Sequence, residues 1–371
     1  MDFNFFMPAR VFSGKNTLFE NSRFLADLGK SCLLVTGAGS AKASGALDDV
    51  LKALKTQGIS YEIYDKIGPN PLLSDCHAAG KQAADFKADF IFGIGGGSPL
   101  DAAKAVAVYA ANPKLEAEEI YNYGYGKPPL PLVLLGTTAG TGSEVTGVSV
   151  LTIDRNGRKK SVSGPDYYAN LSFADPKYTY SVPYDATVST ALDAFSHALE
   201  SFFTPKCQGL TKCVAQKALS GLWPALESLN KSKSLPSPEV RDALYYGSLY
   251  AGLAINQTGT AFPHPLGYIL TEDFGLPHGK ACAVFMPAFL ERAENFAPDL
   301  HKELFELLQT DKGRLLKTVK SLVNSPDLRI DGADAKKYAE RWALQAPGNF
   351  AISPGGLNFE EAAEILATLK L

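Results

Sequence analysis

FIFGIGGGSPLDAAK, residues 90 to 104, runs from an apolar stretch through three successive glycines into an alanine-rich segment. That order predicts a buried strand, a tight turn and a helix, with Pro99 near the first helical turn, where its missing N–H has no helical partner to lose. Glycines without a Cβ let backbone N–H groups approach a pyrophosphate, and a helix N-terminus adds partial positive charge. Gly95, Gly96, Gly97 and Ser98 are therefore candidate phosphate contacts. A plain strand-to-helix turn would use the same glycines, and the spacing departs from GxGxxG because Ser98 stands where the last glycine would be.

Working outward, CLLVTG (32–37), SYEIYDKI (60–67) and PLVLLGTT (131–138) are further strand runs separated by helical patterns such as SDCHAAGKQAADF. Strands alternating with amphipathic helices predict βαβ units and a parallel sheet. Around VSVLTID, RKKSVSG and NLSFADP the strand runs crowd together, which predicts an antiparallel or edge element closing the domain. From about Asp185 onward helical periodicity takes over, in ATVSTALDAFSHALESFF, GLTKCVAQKALSGLWPALESL and PEVRDALYYGSLYAGLAI. The expected architecture is an α/β dinucleotide-binding domain with a parallel sheet over 1–178 and an all-helical, metal-binding domain over 179–371, with ligands in the cleft between them.

A second loop, GTTAGTGSEVTG (136–147), follows the strand PLVLLG and carries the hydroxyls of Thr137, Thr138, Thr141, Ser143 and Thr146. Two such loops on neighbouring strand ends suit a dinucleotide laid over the carboxyl edge of a sheet.

Composition narrows the partners. The net charge is only −3 and the longest basic run is Arg158-Lys159-Lys160, so neither nucleic acid nor an anionic membrane surface is expected. Small molecules are expected instead. The five cysteines, Cys32, Cys76, Cys207, Cys213 and Cys282, form no CxxC pair and read as buried small hydrophobes in a reducing compartment. The start, MDFNFFMPARVFSGK, has no basic leader ahead of an apolar stretch, and apolar runs such as ACAVFMPAFL are far shorter than a membrane span. A cytoplasmic protein is expected.

The helical half holds the other candidate chemistry. LDAFSHALE places Asp193 and His197 four residues apart, on one helix face. Alone, such a pair is usually a surface ion pair or a helix-dipole contact. Only five histidines occur in the chain, however, and His264 and His278 bracket HPLGYILTEDFGLPH, whereas His77 and His301 sit in ordinary amphipathic helix patterns. One carboxylate and three imidazoles make an oxygen-and-nitrogen donor set that suits Fe(II) or Zn(II) with a position left for substrate.

Taken together, these motifs resemble the iron-containing (group III) alcohol dehydrogenases, whose fold is shared with glycerol dehydrogenase and dehydroquinate synthase. GGGSPLDAAK is similar to the family's pyrophosphate loop, TTAGTGSEVT to its second cofactor loop, and DAFSHALESF with HPLGYILTEDFGLPHG to its metal segment. The resemblance implies metal ligands at Asp193, His197, His264 and His278, the two histidines bracketing a loop that folds back over the ion. It implies cofactor contacts that include Asp101 and Lys160. It also implies hydride transfer between a nicotinamide and a small primary alcohol or aldehyde, in a homodimer or larger homo-oligomer. A glycerol dehydrogenase-like or dehydroquinate synthase-like enzyme is the alternative, against which the surroundings of the ligands are apolar and poor in Arg and Lys.

Two positions depart from the family pattern. Where NAD-preferring members carry an Asp after the first strand, this chain reads VTGAGSAK, with Gly37 followed by Ser40 and Lys42. No carboxylate repels a 2′-phosphate there, so NADP(H) is expected over NAD(H). Many members also have a histidine four residues after the third ligand; here Tyr268 takes that place, as a proton-relay group or as pocket wall. Phe262 and Val148 point to a small aliphatic or aromatic aldehyde.

Overall fold

The structure, a computed structural model, describes residues 3–325 and 329–369. The chain divides into two compact units, Phe6–Val182, and Pro183–Leu371 together with Met1–Phe5.

The first unit carries eight strands: β1 (Arg10–Ser13), β2 (Ser31–Thr36), β3 (Ser60–Tyr64), β4 (Phe90–Gly95), β5 (Leu132–Gly136), β6 (Val148–Ile153), β7 (Arg158–Ser163) and β8 (Leu171–Ala174). Six form one sheet in the order β1-β8-β5-β4-β2-β3, every neighbouring pair parallel. Its helices are α1 (Thr17–Asn21), α2 (Ser40–Ala43), α3 (Ala46–Gln57), α4 (Leu73–Phe86) and α5 (Gly97–Ala111). Along β2, Leu33 and Val35 enter the core shared with α4 and α5, while Cys32 and Leu34 enter the one shared with α3. Burial on both faces is why these strands read as near-continuous apolar runs.

Sheet order also sets a topological switch point. From β2 the chain steps outward to β3, then returns to lay β4 on the other side of β2 and continues to β5. The reversal falls between β2 and β4, where open α/β sheets bind ligands beyond the carboxyl ends of the strands. Register pairs Gly95 with Gly136, so the two glycine-bearing loops leave the sheet side by side.

Two expectations fail here. NLSFADP is neither antiparallel nor an edge: it supplies β8, an interior strand between β1 and β5, and only VSVLTID and RKKSVSG pair antiparallel, as the separate β6–β7 ribbon. RVFS was not anticipated as a strand at all, yet it forms β1 at the sheet edge. Four residues are too few for a period to register, and pairing with β8, far along the chain, decides the matter.

The second unit is helical: α6 (Tyr184–Phe202), α7 (Leu210–Ser232), α8 (Pro238–Thr258), α9 (Pro263–Glu272), α10 (His278–Ala283), α11 (Met286–Phe296), α12 (Pro298–Leu308), α13 (Lys312–Val323), α14 (Gly332–Gln345), α15 (Pro347–Ala351) and α16 (Phe359–Ala367). The chain thus joins an α/β unit with a parallel sheet to an all-helical unit. Helix α6 packs against α7, α8 and α10, and from Ala191 to Phe202 every residue is buried. No helix among the described residues is long and apolar enough to cross a membrane.

The segment HPLGYILTEDFGLPH is not the loop that was expected. It is mostly α9, followed by a turn over 273–277 and the start of α10 at His278. Pro263 and Pro265 look like helix breakers in sequence, but they lie in the first turn of α9, where an absent N–H breaks no hydrogen bond. Cys32, Cys76, Cys207 and Cys282 are buried as expected, whereas Cys213 is exposed. It sits on α7 off the buried stripe formed by Thr211, Ala215, Ala218, Leu219 and Leu222.

Candidate functional site

A helix buried on all sides has no water to solvate an ionisable group, so any such group in it must find a partner. Helix α6 carries three in its buried stretch, Asp193, His197 and Glu200, spaced so that they share one face. His264, in the first turn of α9, and His278, the first residue of α10, come to that face. One oxygen is the hub: Asp193 Oδ1 lies 3.9 Å from His197 Nε2, 3.6 Å from His264 Nε2 and 3.8 Å from His278 Nε2. The four donors expected from sequence are therefore brought together.

Their chemistry fits a divalent cation. Asp193 Oδ1 and His264 Nε2 are buried without a hydrogen-bond partner, a burden of about 1–3 kcal/mol each if nothing satisfies them. A tetrahedral shell with bonds near 2.1 Å sets neighbouring donors about 3.4 Å apart, a few tenths of an ångström inside the three Asp193–histidine separations. Burial works against the charged form of Asp193, yet its carboxyl is held below the usual range because His197, His264 and His278 surround it.

Glu200, which the sequence reading passed over, orients one of these rings. Its Oε1 lies 2.6 Å from His264 Nδ1, and its Oε2 accepts the Ala261 N–H at 2.8 Å. A carboxylate can only accept, so Nδ1 carries the hydrogen and Nε2 presents its lone pair toward Asp193. The signal was present in DAFSHALE, where the acid falls seven residues after Asp193, on the same helix face.

Packing sets the rest of the geometry. His197 and His264 stack with centroids 4.4 Å apart. Tyr268 lies flat against His278 at 5.1 Å and meets Trp342 at 5.3 Å with the rings tilted by 36°, so its ring walls in that imidazole. Gly279, directly after His278, is where α10 crosses α6: a Cβ there would stand 1.8 Å from Ser189 O and 2.8 Å from Asp193 Cβ. Only glycine allows that approach. Phe262 does not face a substrate space; it is fully buried, 5.6 Å from Phe289, while Val148 is exposed on β6.

In the α/β unit, the two glycine loops pack on each other. A Cβ at Gly97 would meet Thr141 Cγ2 at 2.5 Å, and one at Gly96 would meet Thr138 at 3.1 Å. Gly96 stands at the N-cap of α5 and Gly97 and Ser98 begin it, all three half-buried, and the Ser98 hydroxyl accepts the Asn70 N–H at 3.2 Å. Thr137 is buried with its hydroxyl unpartnered, Thr146 is buried, and Thr138 and Thr141 are half-buried.

Asp101 and Ser143 are tied into the scaffold. Asp101 accepts the Ser143 hydroxyl at 2.6 Å and the Val150 N–H at 2.9 Å. Lys104, which the sequence reading did not single out, is fully buried and donates to Ser143 Oγ at 2.8 Å and Val148 O at 2.6 Å. Burial pushes its amine down to about 8.

At the end of β2, Gly37 is confined, since a Cβ would come within 3.0 Å of Ile67 O. Ser40 and Lys42 are exposed on α2, with Lys42 Nζ 3.4 Å from Asp65 Oδ2. Lys160 is exposed on β7, its ammonium 4.2 Å above the Tyr121 ring.

Residues 8–176 match the family described as iron-containing alcohol dehydrogenase, and residues 187–335 match the C-terminal part of the Fe-containing alcohol dehydrogenase family. The chain belongs to the iron-containing alcohol dehydrogenase family. It is therefore an enzyme, a nicotinamide-linked oxidoreductase of the alcohol dehydrogenase type. The chain is 31% identical to a sulfoacetaldehyde reductase of Bilophila wadsworthia, over 78% of this chain and 75% of that protein. It is 30% identical to an NAD-dependent methanol dehydrogenase of Bacillus methanolicus, over 79% and 78% of the two chains. An NADPH-dependent butanol dehydrogenase of Clostridium saccharobutylicum is 29% identical, over 76% and 72%. A solved structure described as an iron containing alcohol dehydrogenase shares 33% identity with a TM-score of 0.90 over 98% of both chains. Relatives of this iron-containing alcohol dehydrogenase thus differ in cofactor and in substrate by their own names.

Proposed function

We propose that this chain is a metal-dependent, NADP(H)-linked alcohol dehydrogenase or aldehyde reductase acting on a small primary alcohol or aldehyde. One observation carries the reading: three imidazole nitrogens converge within 3.9 Å of the single buried oxygen Asp193 Oδ1. Asp193, His197, His264 and His278 would hold Fe(II) or Zn(II). A cation held there would supply Lewis-acid polarisation of a substrate oxygen, and a nicotinamide held by the glycine loops would supply the hydride chemistry. Glu200 keeps His264 in the tautomer that offers Nε2, and Tyr268, stacked on His278, fixes the plane of that ring. Gly95, Gly96, Gly97 and Ser98, with the helix start of α5 behind them, take the pyrophosphate. Lys160 and the threonines of the second loop line the rest of the cofactor path.

Cofactor choice turns on the end of β2. Gly37 offers no carboxylate, and Ser40 and Lys42 stand ready for a 2′-phosphate. Asp65, beside Lys42, favours NAD(H) instead. The Lys42–Asp65 pair is exposed and worth about 0–1 kcal/mol, less than the roughly 1.5–3 kcal/mol of a hydrogen bond to a charged group. Lys42 can therefore leave Asp65 for the phosphate. Fluorescence titration should give tighter binding of NADPH than NADH, with Lys42→Ala narrowing the gap and Asp65→Asn widening it; tighter NADH binding in the unmodified protein would remove the NADP(H) assignment.

A cytoplasmic homodimer or larger homo-oligomer completes the reading, supported by the family resemblance. Its central test is His264→Ala, which should abolish aldehyde reduction and metal content while NADPH still binds. Retention of turnover by that variant would sink the ligand assignment.

A further inference from the structure

Cys282 stands outside the four expected donors, yet its sulfur lies among them. It follows His278 by four residues on α10, one helical turn away on the same side. Its Sγ is 3.8 Å from each ring nitrogen of His278, and donor atoms of Asp193, His264, His278 and Cys282 all lie within 4.8 Å of one another. Tetrahedral zinc, with bonds of about 2.3 Å to sulfur and 2.0–2.1 Å to nitrogen, sets those two atoms about 3.5 Å apart. A sulfur 3.8 Å from both ring nitrogens lies beside the ring, so closure on a cation needs the His278 imidazole to turn until one nitrogen faces the ion and the other points away. Two independent features point into the same space: the partnerless Asp193 Oδ1 and His264 Nε2, in residues each 4% exposed. Backbone packing keeps the sulfur there, because Gly267 on α9 lets α10 come so near that a Cβ at 267 would meet Cys282 Sγ at 2.9 Å.

We propose that Cys282 is a sulfur donor of this centre, giving the chain a second donor set of one carboxylate oxygen, two imidazole nitrogens and one thiolate that selects zinc(II). The inference rests on the reading that the cluster holds a divalent cation. On binding, the S–H bond breaks as the S–Zn bond forms, the proton passes to solvent, and no electron changes hands. His197 is the donor the sulfur replaces. A thiolate is a softer ligand than imidazole, so the sulfur set favours zinc and cobalt, while the nitrogen-rich set with His197 serves iron(II).

The test uses the full chain stripped of metal by a chelator and reloaded with Co(II), a spectroscopic substitute for zinc, with bound cobalt counted by elemental analysis. A near-ultraviolet sulfur-to-cobalt charge-transfer band is expected, absent in Cys282→Ser. In competition titrations that variant should lose about tenfold or more in zinc affinity, with iron(II) affinity changed by less than about threefold. Cobalt bound without the band, or zinc affinity unchanged in Cys282→Ser, overturns the sulfur donor and leaves the four-donor centre standing. Failure of the unmodified chain to bind cobalt, zinc or iron(II) overturns both readings. The spectrum of the unmodified protein decides the matter even if a variant fails to fold.

Discussion

Gly279 shows how much geometry one missing methyl group can hold in place. An added Cβ would sit 1.8 Å from Ser189 O, so Gly279→Ala must push α10 off α6 and carry His278 away from Asp193. We expect that variant to lose about 1–3 kcal/mol of stability to overpacking, by urea unfolding, and to bind metal far more weakly; full occupancy with unchanged stability would contradict the crossing described above. Glu200 answers to a different logic. Its two oxygens accept from two donors, His264 Nδ1 and the Ala261 N–H. In Glu200→Gln only one acceptor remains, so either the ring or the backbone loses its bond, and metal affinity should fall about 10–100-fold in a chelator competition. The grouping of Asp193, His197, His264 and His278 was legible in sequence because histidine is scarce here and two of the four sit at helical spacing. Glu200 and Cys282 were harder to see: a glutamate in a helix reads as surface and a lone cysteine as core until neighbouring helices are placed.

At the scale of elements, the join between α5 and the β6–β7 ribbon rests on a buried ammonium. Lys104 bridges Ser143 and Val148 while Asp101 gathers Ser143 and Val150. Lys104→Met fills the volume but leaves Val148 O and Ser143 Oγ short of a donor, and takes from the Asp101 carboxylate the ammonium 3.7 Å away. A loss of about 1–3 kcal/mol per orphaned group is expected in urea unfolding, with weaker dinucleotide binding because Ser143 and Thr141 belong to one loop. An unaltered NADPH affinity would mean that the loop is held by other means. The elements themselves were unevenly readable. Runs such as FIFGIG declare a strand because they are buried on both faces, and α6 declares a helix by its length. β1 and β8 are too short to show a period, and their places follow from partners far along the chain. α9 was obscured by its own prolines, which start the helix that they seem to forbid.

For the molecule as a whole, the alkaline limit should be set by buried acids. Burial pushes the Cys32 thiol up to about 12 and the Cys207 thiol to about 11, and raises Cys76, Tyr109, Tyr167 and Tyr178 as well. Folding favours their neutral forms, so the stability they contribute is complete below the ordinary values of 9.0 and 10.0 and drains away as pH rises past them. Each fully shifted thiol removes about 1.4 kcal/mol per pH unit in that window. Lys104, lowered to about 8 from 10.5, pulls the other way and is outnumbered. The urea midpoint should fall between about pH 9 and 10.5, less steeply in a Cys32→Ala, Cys76→Ala double variant; a midpoint rising over that range would reverse the assignment. Another consequence follows from the partnerless pair, Asp193 Oδ1 and His264 Nε2, on α6 and α9. A cation that binds only the folded chain adds about 2.7 kcal/mol at a hundred times its Kd, so trace-metal supply becomes a term in how many chains stay folded. Cells grown without it should yield less of this enzyme as well as less active enzyme, and chelator should lower its calorimetric melting temperature.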